Sequence, residues 1–130
     1  MKILVVGGGP AGLYFGILMK RVDPGHEVVV LERNRPDDTF GFGVVFSDKT
    51  IGEVEEADPQ TYQAITDHFI HWDDIDVHYG GEIVRSTGHG FSGLSRQTLL
   101  SVLQEQALAL GIDIRFESEF SGLGPQQSVE

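Results

Sequence analysis

The chain has 130 residues, 40% hydrophobic and 22% charged, with a formal net charge of −11 and no cysteine. That is the size and balance of one globular domain; the lack of cysteine excludes disulfides and thiol-based metal or redox chemistry, and the negative charge argues against nucleic acid and membrane as partners, since both need basic surface. No apolar run reaches the length of a membrane span and the opening does not read as a signal peptide, so a cytoplasmic protein is expected.

Lys2-Ile3-Leu4-Val5-Val6 is a short apolar run without a polar face, the pattern of a strand buried in a parallel sheet. It leads into Gly7-Gly8-Gly9-Pro10-Ala11-Gly12, which fits G-x-G-x-x-G with Gly7, Gly9 and Gly12 in the glycine slots. In that pattern the first glycine makes the turn, the second admits a pyrophosphate, and the third lets helix and sheet pack closely. Pro10 suits a first helical turn, whose free amides and dipole favour an anion. Ala11, Phe15, Met19 and Val22 recur at helical spacing and are expected to form the face laid on the sheet. Asp23-Pro24-Gly25 ends the helix, and Glu27-Val28-Val29-Val30-Leu31 reads as a second buried strand closing at Glu32. Glu32 stands about 20 residues beyond the last glycine, where an acid takes the ribose hydroxyls of a dinucleotide. Strand, turn, helix, strand and acid in this order specify a dinucleotide site far better than glycines alone.

Arg33 to Asp38 is a polar loop, and Thr39 to Phe46 is aromatic and glycine-bearing: either a backbone meant to approach something flat or a strand edge with a bulge. Ser47 or Asp48 caps a short helix with Ile51 and Val54, and Asp58-Pro59 starts another with Tyr62 and Ile65. Ile70 and Trp72 share one strand parity and Ile75, Val77 and Tyr79 the other, so a bulge or bend is expected near Asp73-Asp74. Gly80-Gly81 marks a hairpin returning through Glu82 to Thr87. Gly88 to Gly93 reads as a loop. Ser95 then caps a helix striped by Leu99, Leu100, Leu103, Ala107 and Leu110 and closed by Gly111. Ile112 to Phe116 is a third parallel strand, expected beside the first, and Gly122 to Gln127 is a polar loop. The fold class is therefore α/β: a Rossmann-like domain with a three-strand parallel core, interrupted at about 34–94 by a helical segment and an antiparallel hairpin.

No nucleophile or acid–base pair stands out, and the catalytic residues are left unassigned. Asp73, Asp74 and Asp76 alternate faces and read as a solvated bend. His68-x-x-His71 lacks the spacing and the third ligand of a metal site, so no metal is expected. Pattern alone leaves FAD and NAD open, because both carry pyrophosphate and ribose; an NAD(P)-binding oxidoreductase domain and a non-catalytic dinucleotide-binding module are the alternatives.

The glycine turn with Glu32-Arg33 resembles the start of single-component flavoprotein aromatic monooxygenases, the para-hydroxybenzoate hydroxylase class. Gly41 to Asp48 and Gly88 to Arg96 are similar to the subgroup acting on aromatic CoA thioesters, the salicylyl-CoA 5-hydroxylase and 2-aminobenzoyl-CoA monooxygenase group. The resemblance implies tightly but non-covalently bound FAD, NAD(P)H as co-substrate, and O2-dependent hydroxylation of an aromatic substrate, expected to be an aromatic CoA thioester. It places Gly7, Gly9, Pro10, Ala11 and Gly12 around the pyrophosphate, Glu32 on the adenosine ribose and Arg33 on the adenine side. Gly43, Val44 and Val45 would border the isoalloxazine, and Arg96 would reach toward the phosphates. Where many relatives carry an arginine before the Gly-Val pair, this chain has Gly41 and Phe42. The family's later Asp-Gly and Gly-Asp motifs do not occur in these residues. The chain is accordingly expected to be an N-terminal, incomplete FAD-binding domain (1–130), inactive by itself, of unknown oligomeric state.

Overall fold

The computed structural model describes residues 1–123. Eight strands and four helices follow one another there: β1 (Lys2–Val6), α1 (Pro10–Val22), β2 (Glu27–Leu31), β3 (Gly43–Ser47), α2 (Asp48–Ala57), α3 (Pro59–Thr66), β4 (Ile70–Trp72), β5 (Ile75–Tyr79), β6 (Glu82–Ser86), β7 (Phe91–Ser95), α4 (Arg96–Ala109) and β8 (Asp113–Arg115). They fall into two compact units, one made of Met1–Asp38 with the chain from Ala107 on, the other of Thr39–Gln106.

The first unit holds a parallel sheet in the order β1-β2-β8. β1 pairs with β2 from Lys2↔Glu27 to Val6↔Leu31, and β2 with β8 from Val29↔Asp113 to Leu31↔Arg115. The middle strand is the most deeply placed, with Val28 3% and Val30 0% exposed. The third strand thus lies beside the second and not, as the sequence reading expected, beside the first. A right-handed crossover that keeps moving in the direction set by β1 to β2 lands outside β2. Landing beside β1 would require the direction to reverse.

The face of α1 also differs from the expected one. Leu13, Gly16 and Ile17 are buried, whereas Phe15 is 49% and Val22 77% exposed. The buried stripe runs through glycines: a Cβ built on Gly16 would stand 3.4 Å from both the Ile112 and the Val28 side chains. Counting large apolar residues passes over a stripe whose contacts are made by backbone. Asp23 ends the helix and accepts from the Gly25 amide, while His26, 8% exposed, reaches back to the Met19 carbonyl.

In the second unit β3, β7 and β4 form an antiparallel sheet with β7 in the middle, and β5 and β6 form a separate ribbon. Phe91–Ser95 is therefore the central strand of a sheet, although part of it reads as loop in the sequence; glycine at 93 suits that place, since Trp72 packs 3.2 Å from where its Cβ would be. The change of parity at Asp73-Asp74 marks the passage from one sheet to another, not a bulge within one strand. Ser47 caps α2, Asp58 caps α3 and Ser95 caps the start of α4, each through a side-chain oxygen accepting from an amide three residues on. Gly80 and Gly81 turn the ribbon with φ of +59° and +84°, and Arg85 grips Asp76 across it at 2.7 and 2.8 Å. Gly111 closes α4 at φ +77°. Of the expected loop Gly122–Gln127, residues 124–127 lie outside the described residues.

Candidate functional site

β1 ends where the backbone must turn sharply into α1. Gly7 does this at φ +107°, a conformation that side chains rarely tolerate, and its amide extends the ladder by donating to the Leu31 carbonyl at 2.8 Å. Gly12 lies so close that a Cβ there would stand 2.0 Å from the Gly7 oxygen. Gly9, the N-cap, has φ −72° and ψ 177°, and a Cβ built on it meets nothing within 4 Å. No side chain caps α1 and Pro10 contributes no amide. The remaining first-turn amides, which have no intrahelical acceptor, are open to an anion.

These three glycines serve different ends, and Gly9 separates binding from folding. Its dihedral angles suit alanine and its surroundings have room. The Gly9→Ala variant is therefore expected to melt within a degree or two of wild type, a change under about 0.5 kcal/mol. A methyl group there would nevertheless occupy the space above the turn, and affinity for ADP, read by titration calorimetry, is expected to fall about tenfold, as overpacking a closely fitted contact costs. Unchanged affinity would mean that no ligand approaches the turn at Gly9.

Glu32 leans back over the same turn. Its Oε2 accepts from the Gly8 amide at 2.8 Å, and its Oε1 accepts from both the backbone amide and the Nδ2 of Asn34, each at 2.8 Å. Gly8 makes room for this: a Cβ there would be 2.9 Å from the Glu32 Cβ. Partial burial pushes the carboxyl upward, but the hydrogen bonds from Asn34 and Gly8, helped by the Arg33 charge, outweigh it and hold Glu32 below the ordinary glutamate value. It is thus an ionised acceptor fixed beside an anion-ready turn.

Around it is a cavity of about 380 Å³ lined by Val6, Gly7, Leu31, Glu32, Arg33, Asn34, Ser118, Glu119 and Phe120. Its walls are the segments that follow the carboxyl ends of three neighbouring parallel strands, the edge where open α/β sheets take their ligands. The chain after β8 is brought over by two backbone bonds, Glu117 to the Asn34 carbonyl and Ser118 to the Glu32 carbonyl, with Glu117 at φ +51°. Asn34, Ser118, Glu119 and Phe120 were not among the site residues read from sequence. Asn34 stands two residues beyond Glu32 and holds it locally. For Ser118, Glu119 and Phe120 the signal was topological: once β8 is placed beside β2, whatever follows β8 must border whatever follows β2.

The predicted residues fall into two groups. Gly7, Gly9, Pro10, Ala11, Gly12, Glu32 and Arg33 lie together in the first unit, where the glycine turn and the acid converge. Gly43, Val44, Val45 and Arg96 lie in the second. There Gly43 pairs with Ser95 across β3 and β7, and the Arg96 amide donates to the Phe42 carbonyl at 3.2 Å. The Arg96 side chain runs past Gly41, whose added Cβ would be 3.8 Å from the arginine Cδ. Phe42 itself is fully exposed and Val45 is 57% exposed.

One arrangement imitates a catalytic triad. His71 Nδ1 lies 2.9 Å from Ser92 Oγ and its Nε2 lies 3.1 Å from Asp73 Oδ1. Ser92, however, is 5% exposed on a strand paired along both edges. Burial in that position closes its hydroxyl off from an acyl group. His71 and Ser92 are direct partners in the β4–β7 ladder, and a cross-strand hydrogen bond accounts for the contact.

The turn and acid of the first unit fit a dinucleotide: a cradle without side chains for the pyrophosphate, and an ionised acceptor with an adjoining cavity for the nucleoside. Known proteins agree with this. Over 119 residues the chain is 54% identical to salicyloyl-CoA 5-hydroxylase of a Streptomyces species, covering 92% of this chain and 23% of that protein. Over 117 residues it is 34% identical to 3-hydroxy-4-methyl-anthranilyl-[aryl-carrier protein] 5-monooxygenase of Streptosporangium sibiricum, covering 90% and 33%. The chain therefore spans a quarter to a third of the length of these relatives. Among solved structures, 2-methyl-3-hydroxypyridine-5-carboxylic acid oxygenase shares the fold with a TM-score of 0.81 at 24% identity, over 95% of this chain and 33% of that one. The family model described as FAD binding domain matches residues 1–129. With that match running over nearly its whole length, the chain belongs to the FAD binding domain family.

Proposed function

We propose that these residues form the N-terminal FAD-binding portion of a flavoprotein monooxygenase that hydroxylates an aromatic substrate carried as a CoA thioester. The observation that carries the reading is the Glu32 carboxylate held 2.8 Å from the Gly8 amide, at the mouth of the glycine turn. In it the turn holds the FAD pyrophosphate, Glu32 takes the adenosine ribose, and Arg33 borders the adenine. Gly43, Val44, Val45 and Arg96 attend the flavin end and its phosphates. The domain is one incomplete FAD-binding domain over 1–130 with its insertion at about 34–94. When bound, FAD supplies the electron transfer and oxygen activation, with NAD(P)H as reductant. What the chain's own residues do is bind, orient and keep the Glu32 acceptor ionised. The 54% identity to a salicyloyl-CoA hydroxylase supports the thioester substrate, and a cytoplasmic setting, away from nucleic acid and membrane, accords with a net charge of −11.

Flavin fluorescence gives the test. Titrated with the chain, FAD is expected to bind at least about tenfold more tightly than FMN, which lacks the adenosine that Glu32 and the cavity would hold. Equal binding of the two would remove the adenosine site. For the complete polypeptide, NADH or NADPH consumption is expected to rise with an aromatic CoA thioester and not with the free acid; the 130 residues alone are expected to show no turnover.

A further inference from the structure

Asn34 is not among the site residues of the sequence reading, yet it supplies two of the three donors on Glu32. A carboxylate only accepts, so the orientation of the Asn34 amide is determined: Nδ2 faces Glu32. Together the backbone amide and Nδ2 fill Oε1, while Gly8 takes one position on Oε2. Of the roughly four acceptor positions on a carboxylate, the one left open is on Oε2, the oxygen at the glycine turn. Glutamate has three rotatable side-chain bonds, and an unrestrained carboxylate would have to be ordered anew each time a ligand bound. The loop itself is anchored, because the Asn34 carbonyl accepts from Glu117 at 3.1 Å.

We propose that Asn34 is a positioning residue for the nucleotide: by occupying Oε1 it fixes the Glu32 carboxylate so that Oε2 is presented to a ribose hydroxyl. The inference rests on the dinucleotide reading of the site given above. Asn34 touches the ligand only through Glu32 in this role, so its removal should erase the distinction between ribose with and without hydroxyls more than it weakens binding of the diphosphate.

The experiment compares ADP with 2′,3′-dideoxy-ADP by titration calorimetry on the wild-type chain and on N34A, E32Q and N34A/E32Q, with circular dichroism to check folding. Wild type is expected to prefer ADP by about tenfold or more, the worth of a hydrogen bond to an ionised group. In N34A the preference should shrink to within about threefold. Adding N34A to E32Q should change the preference no further, because the two residues act as one unit. N34D keeps the side-chain size while setting a second carboxylate against Glu32. It should lose at least as much preference as N34A, and it takes the place of N34A if that variant does not fold. Full preference retained in a folded N34A or N34D, or additive losses in the double variant, would overturn the role of Asn34 and leave the site standing. Wild-type protein that binds ADP and its dideoxy analogue equally, or neither, would overturn the site and this role together.

Discussion

Replacing Gly12 by alanine is expected to lower the melting temperature by roughly 10–15 °C, from a loss of about 3 kcal/mol in a chain of this size. The reason is a distance. An added Cβ would stand 2.0 Å from the Gly7 oxygen, 3.2 Å from the Gly7 carbonyl carbon and 3.2 Å from the Val5 side chain. The closest of these neighbours is backbone, and it belongs to the turn that leaves β1. It cannot rotate away as a flexible side chain can. Relief requires α1 to rise off the sheet, which would open the contacts of Leu13 and Ile17, both 0% exposed. Thermal unfolding followed by circular dichroism measures the effect. A shift of less than about 2 °C, under 1 kcal/mol, would show that the helix and turn are less tightly joined than described. Set beside Gly9→Ala, whose effect should fall on binding and spare the fold, the pair assigns one glycine to packing and the other to the ligand.

Much of this was legible in the sequence because it is local. A strand, a turn that demands positive φ, a proline at the helix start and an acid at the end of the next strand depend on near neighbours, and each was found where it was expected. The caps Ser47, Asp58 and Ser95 were legible for the same reason. What escaped was set by long-range pairing. The buried stripe of α1 passes through Gly16, where the contact belongs to the partner side chains Ile112 and Val28 and no hydrophobic period records it. The first part of Phe91–Ser95, up to Gly93, looked like the end of a glycine-bearing loop, although Trp72 needs the glycine at 93. Gly8 fills a free position of the glycine pattern, yet the lean of Glu32 depends on it. Ser118 joined the site only because β8 lies outside β2, and no motif within its segment announces that.

The Glu32→Ala variant should show the largest loss of nucleotide affinity of any single change at the turn, about 100-fold for ADP, because it removes a charged acceptor and leaves its donors unmatched. The Gly8 amide and both Asn34 donors lose their acceptor at once. Acidification should imitate the substitution in part. The folded-state pKa of Glu32 lies below its ordinary value. Its contribution to stability is therefore complete above the ordinary glutamate range, about pH 4.3, and disappears as the pH falls through the lower, folded-state value. Protonation also turns one acceptor into a donor facing the donors of Gly8 or Asn34, so ADP affinity should decline over the same interval. In Glu32→Ala that acid-dependent decline should be reduced. Calorimetric titration of ADP at neutral and at acid pH, with wild type and variant side by side, separates the two contributions. If Glu32→Ala binds ADP as wild type does, the carboxylate is no more than a brace for the glycine turn, and the nucleoside must be held by other groups.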